Sequence, residues 1–277
     1  MKQLLALLSL FLIYMPLSAQ LIDTIYLWPG EVPGEVDAKH PAVQDENRSG
    51  NTIRLTDVTD PMMVEFIPGE GCYNGSSVII CPGGAYNILS IDKEGYEIAG
   101  WLTGLGYKAY VLQYRVPQKP EGALQDIQRA IRIVRARSFD EGKTGVIGFS
   151  AGGSLSARAS TRFNDRTYDP VDDTDALSCR PDFAVLIYPA YLDNGPERSL
   201  TPELTITEAT PPMFIFGTAD DRYGNSALVM TGALRDAGIP AELHMLPSGG
   251  HGYGLRSGNM AAEAWPVLCE KWMESIR

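Results

Sequence analysis

The sequence predicts an α/β protein built on a central, mostly parallel sheet with helices on both faces. Two observations carry that reading. From about residue 60 onward, short β-branched or aromatic runs alternate with amphipathic stretches, the pattern of successive strand and helix units. Several of the runs are continuously apolar, as expected of strands covered on both faces.

Taken in order, the chain opens with Met1-Lys2-Gln3 and an apolar run from Leu4 to Ile13, too short to anchor stably in a membrane. Pro16 ends the run, and Leu17-Ser18-Ala19 puts small residues where a signal peptidase cuts. The expectation is a cleaved signal peptide over residues 1–19, with no cysteine there to accept a lipid, and a secreted or periplasmic product without a membrane partner. Residues 20–277 are then one domain with no large separate cap.

The composition, 44% hydrophobic and 21% charged, is that of a globular protein. Lys+Arg total 23 against Asp+Glu 34, a net charge of −11, which argues against a nucleic-acid or anionic-membrane partner and leaves neutral or cationic substrates. Cys72, Cys81, Cys179 and Cys269 lack C-x-x-C spacing, and with three histidines no metal site is expected. Export would permit a disulfide, whose pairing the spacing does not assign.

The expected strands are Met63–Ile67, Ser77–Cys81, Lys108–Leu112, Thr144–Gly148, Phe183–Ile187, Met213–Phe216 and Glu242–Leu246. Ile98, Trp101, Leu102 and Leu105 recur at helical spacing, as do Leu124, Ile127, Ile131 and Val134, each marking a helix with one buried stripe. Gly106 and Gly238 stand where a helix ends before a strand. Two polar stretches, Phe163–Arg180 and Tyr191–Thr210, are long for plain connections and are expected to cover a functional site.

Gly148-Phe149-Ser150-Ala151-Gly152 fits G-x-S-x-G, with the strand through Val146-Ile147 running into it and a helix expected from Ala151 to Ala159. The chemistry needs a nucleophilic serine on a sharp, strained turn, flanked by residues without bulky side chains. Upstream, Cys81-Pro82-Gly83-Gly84-Ala85-Tyr86 leaves a strand as a Gly-rich loop, similar to the H-G-G-G loop that completes an oxyanion hole, with Pro82 in place of the histidine. The N–H groups of Gly84, Ala85 and Ala151 are the expected oxyanion donors.

The general base is expected to be His251, in a mobile Gly-rich loop, Ser248 to Gly254, after the last strand; His244 lies inside a strand and His40 in the polar segment before the sheet. Asp220 is chosen to orient it, with Asp221 in reserve, because adjacent residues point in different directions. Tyr86, Asn87, Arg222 and Tyr253 are substrate-pocket candidates by position alone. No metal or organic cofactor is required by this chemistry.

These motifs, with Trp28-Pro29-Gly30, Asp92-Lys93-Glu94-Gly95-Tyr96, Gln113-Tyr114-Arg115-Val116-Pro117 and Gly217 to Asp221, give a chain that resembles α/β-hydrolase esterases of the carbohydrate-acting, acetyl xylan esterase and feruloyl-esterase-like group. The resemblance implies an α/β-hydrolase fold and a serine esterase that removes acetyl or bulkier acyl groups from neutral plant polysaccharides. It implies Ser150 as nucleophile, His251 as base and Asp220 as its partner. Ala85 in place of a third glycine and Arg222-Tyr223-Gly224 after the acid depart from the group's pattern.

Two other readings are weighed. The Gly217-Thr218-Ala219-Asp220-Asp221 run also resembles exopeptidases of the prolyl-oligopeptidase group, whose large gating domain the chain leaves no room for. A non-catalytic carbohydrate-binding homologue would not need all three catalytic residue types. A glycosidase is disfavoured because no separated pair of carboxylates rivals the serine constellation.

Overall fold

The structure is a computed structural model that describes residues 20–46, 49–137 and 142–277. The expected signal peptide, residues 1–19, lies outside the described residues. In chain order the elements are β1 (Gln20–Tyr26), β2 (Val43–Gln44), β3 (Arg54–Thr56), β4 (Met62–Ile67), β5 (Ser77–Cys81), β6 (Leu89–Ser90), α1 (Glu97–Gly104), β7 (Lys108–Gln113) and α2 (Pro120–Arg137). They continue with β8 (Thr144–Phe149), α3 (Ala151–Thr161), β9 (Phe183–Ile187), β10 (Met213–Thr218), α4 (Gly224–Asp236), β11 (Ala241–Leu246) and α5 (Met260–Ser275).

Eight strands form one sheet in the order β1-β4-β7-β5-β8-β9-β10-β11. The six from β7 to β11 in that order are parallel, and β4 and β1 add to one edge antiparallel, which is the mostly parallel α/β-hydrolase sheet expected. All seven expected strands are present. The chain before residue 60 adds β1 and part of a small three-stranded sheet, β2-β3-β6, whose two- and three-residue strands are too short for alternation to register.

Alternation along the strands divides the core in two. Ile79 and Cys81 of β5 face one cluster with Leu124, Ile127 and Ile131 of α2, Leu155 of α3 and Met230 of α4. Val78 and Ile80 face the other, with Ile98 and Leu102 of α1 and Trp265, Cys269 and Trp272 of α5. Each fully buried Val, Leu, Ile or Met among them contributes about 1.5–3 kcal/mol of transfer free energy. Helix α5 was not expected: its buried stripe Ala261, Trp265, Cys269, Trp272 has helical spacing, but Pro266 interrupts it and reads as a breaker. Among the described residues no helix is long and apolar enough to cross a membrane.

Two of the quoted motifs meet in the core. Arg115 and Asp126 form a buried ion pair at 3.0 Å, and Asp126 also accepts from Trp28 Nε1 at 2.9 Å and the Arg115 N–H at 2.9 Å. Burial pushes the Asp126 carboxyl up while Arg115 opposes the shift. Arg115 donates on to the Pro33 carbonyl at 2.5 Å, so this cluster fastens the N-terminal segment to α2.

The long stretch Phe163–Arg180 contributes no residue to the cleft described next; it packs on α2 through Arg129, Arg132 and Gln128, which meet Asp175, Tyr168 and Thr167. The second stretch, from Tyr191, does reach the cleft described next.

Candidate active site

Ser150 sits between β8 and α3 at φ 53°, ψ −117°, a conformation that costs on the order of 1–3 kcal/mol for a non-glycine residue. The turn is held by Ser150 N–H donating to the Ile187 carbonyl at 3.1 Å and by its own carbonyl accepting from Ala190 and Ser154, both at 3.1 Å. It is also tight. A Cβ on Gly148 would lie 2.0 Å from the Gly152 carbonyl oxygen, and one on Gly152 would lie 1.9 Å from that of Cys81.

His251, in the loop between β11 and α5, brings Nε2 to 2.7 Å from Ser150 Oγ, and its Nδ1 lies 2.6 Å from Asp221 Oδ2. A neutral imidazole donating from Nδ1 to that carboxylate leaves Nε2 to accept the serine proton. The Asp221 side chain is 1% exposed and that of His251 28%, so the pair runs from the protein interior to the cleft.

The choice of Asp220 as orienter is therefore corrected to Asp221. Strand β10 ends at Thr218, and the turn closed by Asp221 N–H donating to the Thr218 carbonyl sends Asp220 outward and Asp221 inward. Strand alternation does not extend into such a turn, so nothing in the spacing separates the two acids. Asp220 instead accepts the N–H groups of Gly250 at 2.9 Å and Gly249 at 3.2 Å, and these bonds hold its carboxyl below the usual range. With Thr218 Oγ1 donating to the Gly250 carbonyl and Asn259 Nδ2 to that of Gly249, both at 2.8 Å, the histidine loop is pinned rather than mobile.

Ser150 and His251 open on a cleft of about 260 Å³ that Gly84 and Ala85 also line. Gly84 has φ 142° and its carbonyl turns away to accept from Asn87 and Ile88. Among the described residues neither the Gly84 nor the Ala85 N–H has an intramolecular acceptor. Ala151 is the first residue of α3, so its N–H lacks an intrahelical acceptor and lies at the positive end of the helix. All three expected donors thus adjoin the serine.

Of the pocket candidates, Arg222 lines the cleft, stacked on Tyr223 and donating to its hydroxyl at 2.7 Å. Tyr86 faces a second cavity of about 220 Å³, lined also by Ser154, Arg158, Tyr191, Asn194 and Glu203, and Tyr191 forms a wall of both. Burial pushes the Tyr86 phenol up to about 12. Asn87 lines neither space; it is exposed and turns its amide back to the Ala85 carbonyl at 3.3 Å. Tyr253, in the histidine loop itself, turns inward and is buried, its ring edge-on to Tyr188 at 4.4 Å, and serves packing. Sequence reasoning missed Glu94, Tyr191 and Tyr223, which line the cleft. A signal for Glu94 was available, since it stands four residues before Ile98 on the stripe that α1 buries.

The model of the prolyl oligopeptidase family matches residues 117–272, a stretch that contains Ser150, Asp221 and His251. An acetylxylan esterase of Xylanibacter ruminicola is 30% identical over 234 residues, covering 74% of this chain and 46% of that protein, so the chain spans about half the length of this curated relative. The crystal structure of an acetyl ester-xyloside bifunctional hydrolase from Caldicellulosiruptor lactoaceticus is 31% identical, covers 92% of this chain and 96% of its own, and superposes with a TM-score of 0.73. Esterase 2 of Thermogutta terrifontis, at 21% identity, 90% and 94% coverage and a TM-score of 0.66, shares the fold. The serine elbow, the strand order and the match over more than half the chain agree: this chain belongs to the prolyl oligopeptidase family, on an α/β-hydrolase fold.

Proposed function

We propose that this protein is an exported serine carboxylesterase that removes acetyl or other acyl groups from a neutral plant polysaccharide or its oligosaccharides. The observation that carries the reading is the line from Ser150 Oγ through His251 to Asp221, with contacts of 2.7 and 2.6 Å, at the mouth of a cleft. Ser150 Oγ bonds to the ester carbonyl carbon as His251 Nε2 takes its proton, and the oxyanion is received by the N–H groups of Gly84, Ala85 and Ala151. The sugar hydroxyl leaves with that proton. Water, deprotonated by His251, then attacks the acyl-serine and releases the acid and the free serine.

Likeness to the acetylxylan esterase and to the acetyl ester-xyloside hydrolase supports the substrate class. So does the second cavity beyond Tyr191, where Tyr86, Ser154, Tyr191 and Asn194 offer polar partners and Arg158 is ion-paired to Glu121 and Glu203. Xyloside cleavage is not proposed: among the residues lining the cleft Glu94 is the only acid, and a glycosidase uses two facing carboxylates. The signal peptide over residues 1–19 would put the enzyme where such polymers are met.

The test is hydrolysis of p-nitrophenyl acetate, acetylated xylan, p-nitrophenyl xyloside and an aminoacyl-proline amide by wild type and Ser150→Ala. The two esters are cleaved by wild type alone. Cleavage of the amide alone would establish a peptidase instead, and no cleavage of any substrate would establish a binding protein.

A further inference from the structure

We propose that Glu94 is a positioning residue that joins the oxyanion loop to the histidine loop through one buried carboxylate. This rests on the esterase reading of the cleft.

Glu94 is 3% exposed, and both of its oxygens are engaged. Oε2 accepts the Gly83 N–H at 2.8 Å, and Oε1 accepts the Tyr188 hydroxyl at 2.8 Å. The Tyr188 hydroxyl in turn accepts the Gly254 N–H at 3.1 Å. One continuous chain of three bonds therefore runs from the loop that presents Gly84 and Ala85 to the loop that presents His251. The packing around it is close: a Cβ on Gly83 would lie 2.7 Å from Glu94 Oε2 and 2.9 Å from Ser150 Cβ.

The backbone N–H groups at the two ends can only donate, so Glu94 accepts from Gly83 and the Tyr188 oxygen accepts from Gly254 while its proton goes to Glu94, which gives every bond in the chain one direction. By engaging the Gly83 N–H, Glu94 removes that group from the cleft and leaves the next two N–H groups to face it. Tyr188 follows β9 at φ 38°, is held by its N–H to the Phe216 carbonyl at 2.6 Å, and sets its ring 5.1 Å from the His251 ring. The element that Glu94 grips thus also backs the imidazole. Donors that must meet a developing oxyanion act only if held in place beforehand, so slack in this chain is felt in the transition state rather than in ground-state binding.

The experiment measures kcat and KM for p-nitrophenyl acetate, inhibition by phenylboronic acid and the rate of Ser150 labelling by a fluorophosphonate. The variants are Glu94→Ala, Glu94→Gln, Tyr188→Phe and the Glu94→Ala/Tyr188→Phe double. Glu94→Ala lowers kcat about 100-fold, the scale of losing one oxyanion donor, with KM within about two-fold. Phenylboronic acid, which mimics the tetrahedral species, weakens in parallel. Glu94→Gln keeps an acceptor for Gly83 and recovers part of the loss, and the double variant is no worse than Glu94→Ala because the two residues act as a unit. Equal loss of kcat and rise of KM, or unchanged boronate affinity, would overturn the proposal. If wild type hydrolyses no ester, the esterase reading fails separately, and the labelling rate decides: labelling of Glu94→Ala as fast as wild type refutes the positioning role, and slower labelling upholds it.

Discussion

Asp220 and Asp221 are neighbours in the chain, yet they hold the histidine loop by different parts: Asp221 takes the imidazole of His251, and Asp220 takes the backbone N–H groups of Gly249 and Gly250. Their removal should have different consequences. Asp221→Asn offers the wrong partner to Nδ1 and lowers kcat by about 10⁴, as in triads of this kind, with the fold intact. Asp220→Asn leaves the Ser150–His251–Asp221 contacts in place and loosens their support, lowering kcat by roughly ten-fold, since small displacements of a positioned group are costly. Steady-state kinetics on an acetyl ester, with circular dichroism on each variant, checks both; equal effects would refute the division of roles.

The serine elbow makes a second expectation. Because a Cβ on Gly148 would meet the Gly152 carbonyl oxygen at 2.0 Å, backbone has to move to admit alanine, and no flexible side chain is available to yield. Gly148→Ala should abolish detectable esterase activity and destabilise the fold by about 3 kcal/mol, at or above the upper end of overpacking costs. A melting curve and an activity assay on the same preparation test this. Near-native activity would show that the elbow tolerates more relaxation than its geometry allows.

What the residues made legible, and what they did not, follows from how local each feature is. Ser150, the Gly-rich loop and His251 stand in short motifs whose conformation is dictated by nearby glycines, so their meeting at one cleft could be expected before the fold. The parallel strands were legible because burial on both faces makes them continuously apolar, as in Val78-Ile79-Ile80. Asp221 was not separable from Asp220, since the choice depends on a turn beyond the end of β10. Tyr191 and Tyr223 reach the cleft from separate connections, and no spacing links them to Ser150. The role of Phe163–Arg180 was misread because polarity marks both a substrate-covering loop and one that packs by ion pairs.

The cysteines give a third expectation. All four are free; Cys72 is exposed, while Cys81, Cys179 and Cys269 are buried. Burial raises the Cys81 thiol to about 12 and also raises Cys179 and Cys269, so at pH 8 these three are neither ionised nor accessible. A disulfide-exchange reagent at pH 8 should therefore titrate one thiol rapidly in the native protein and four after denaturation. Two rapidly lost thiols, or fewer than four in denaturant without reductant, would contradict this arrangement.

The last expectation concerns acid. Asp175 lies in the stretch that packs on α2, its side chain 3% exposed. Burial works to raise its carboxyl, but the Val171 N–H, the Tyr168 hydroxyl and Arg129 outweigh it, and the net shift is downward. Asp172, bonded first to Arg129 and then to Thr174, is held well below the usual range as well. A carboxyl depressed in the folded state binds its proton more readily when unfolded, so its stabilisation is complete above the ordinary aspartate value of about 3.9 and fades as pH falls through the folded value. Asp175→Asn should thus cost about 2 kcal/mol at pH 7, the scale of a hydrogen bond to a charged group. The cost should be the same at pH 5.5 and shrink steadily below about pH 4. Urea denaturation of wild type and variant at pH 7, 5.5, 4 and 3 measures it, and a difference that grew toward acid pH would mean that burial, not Arg129, governs this carboxyl.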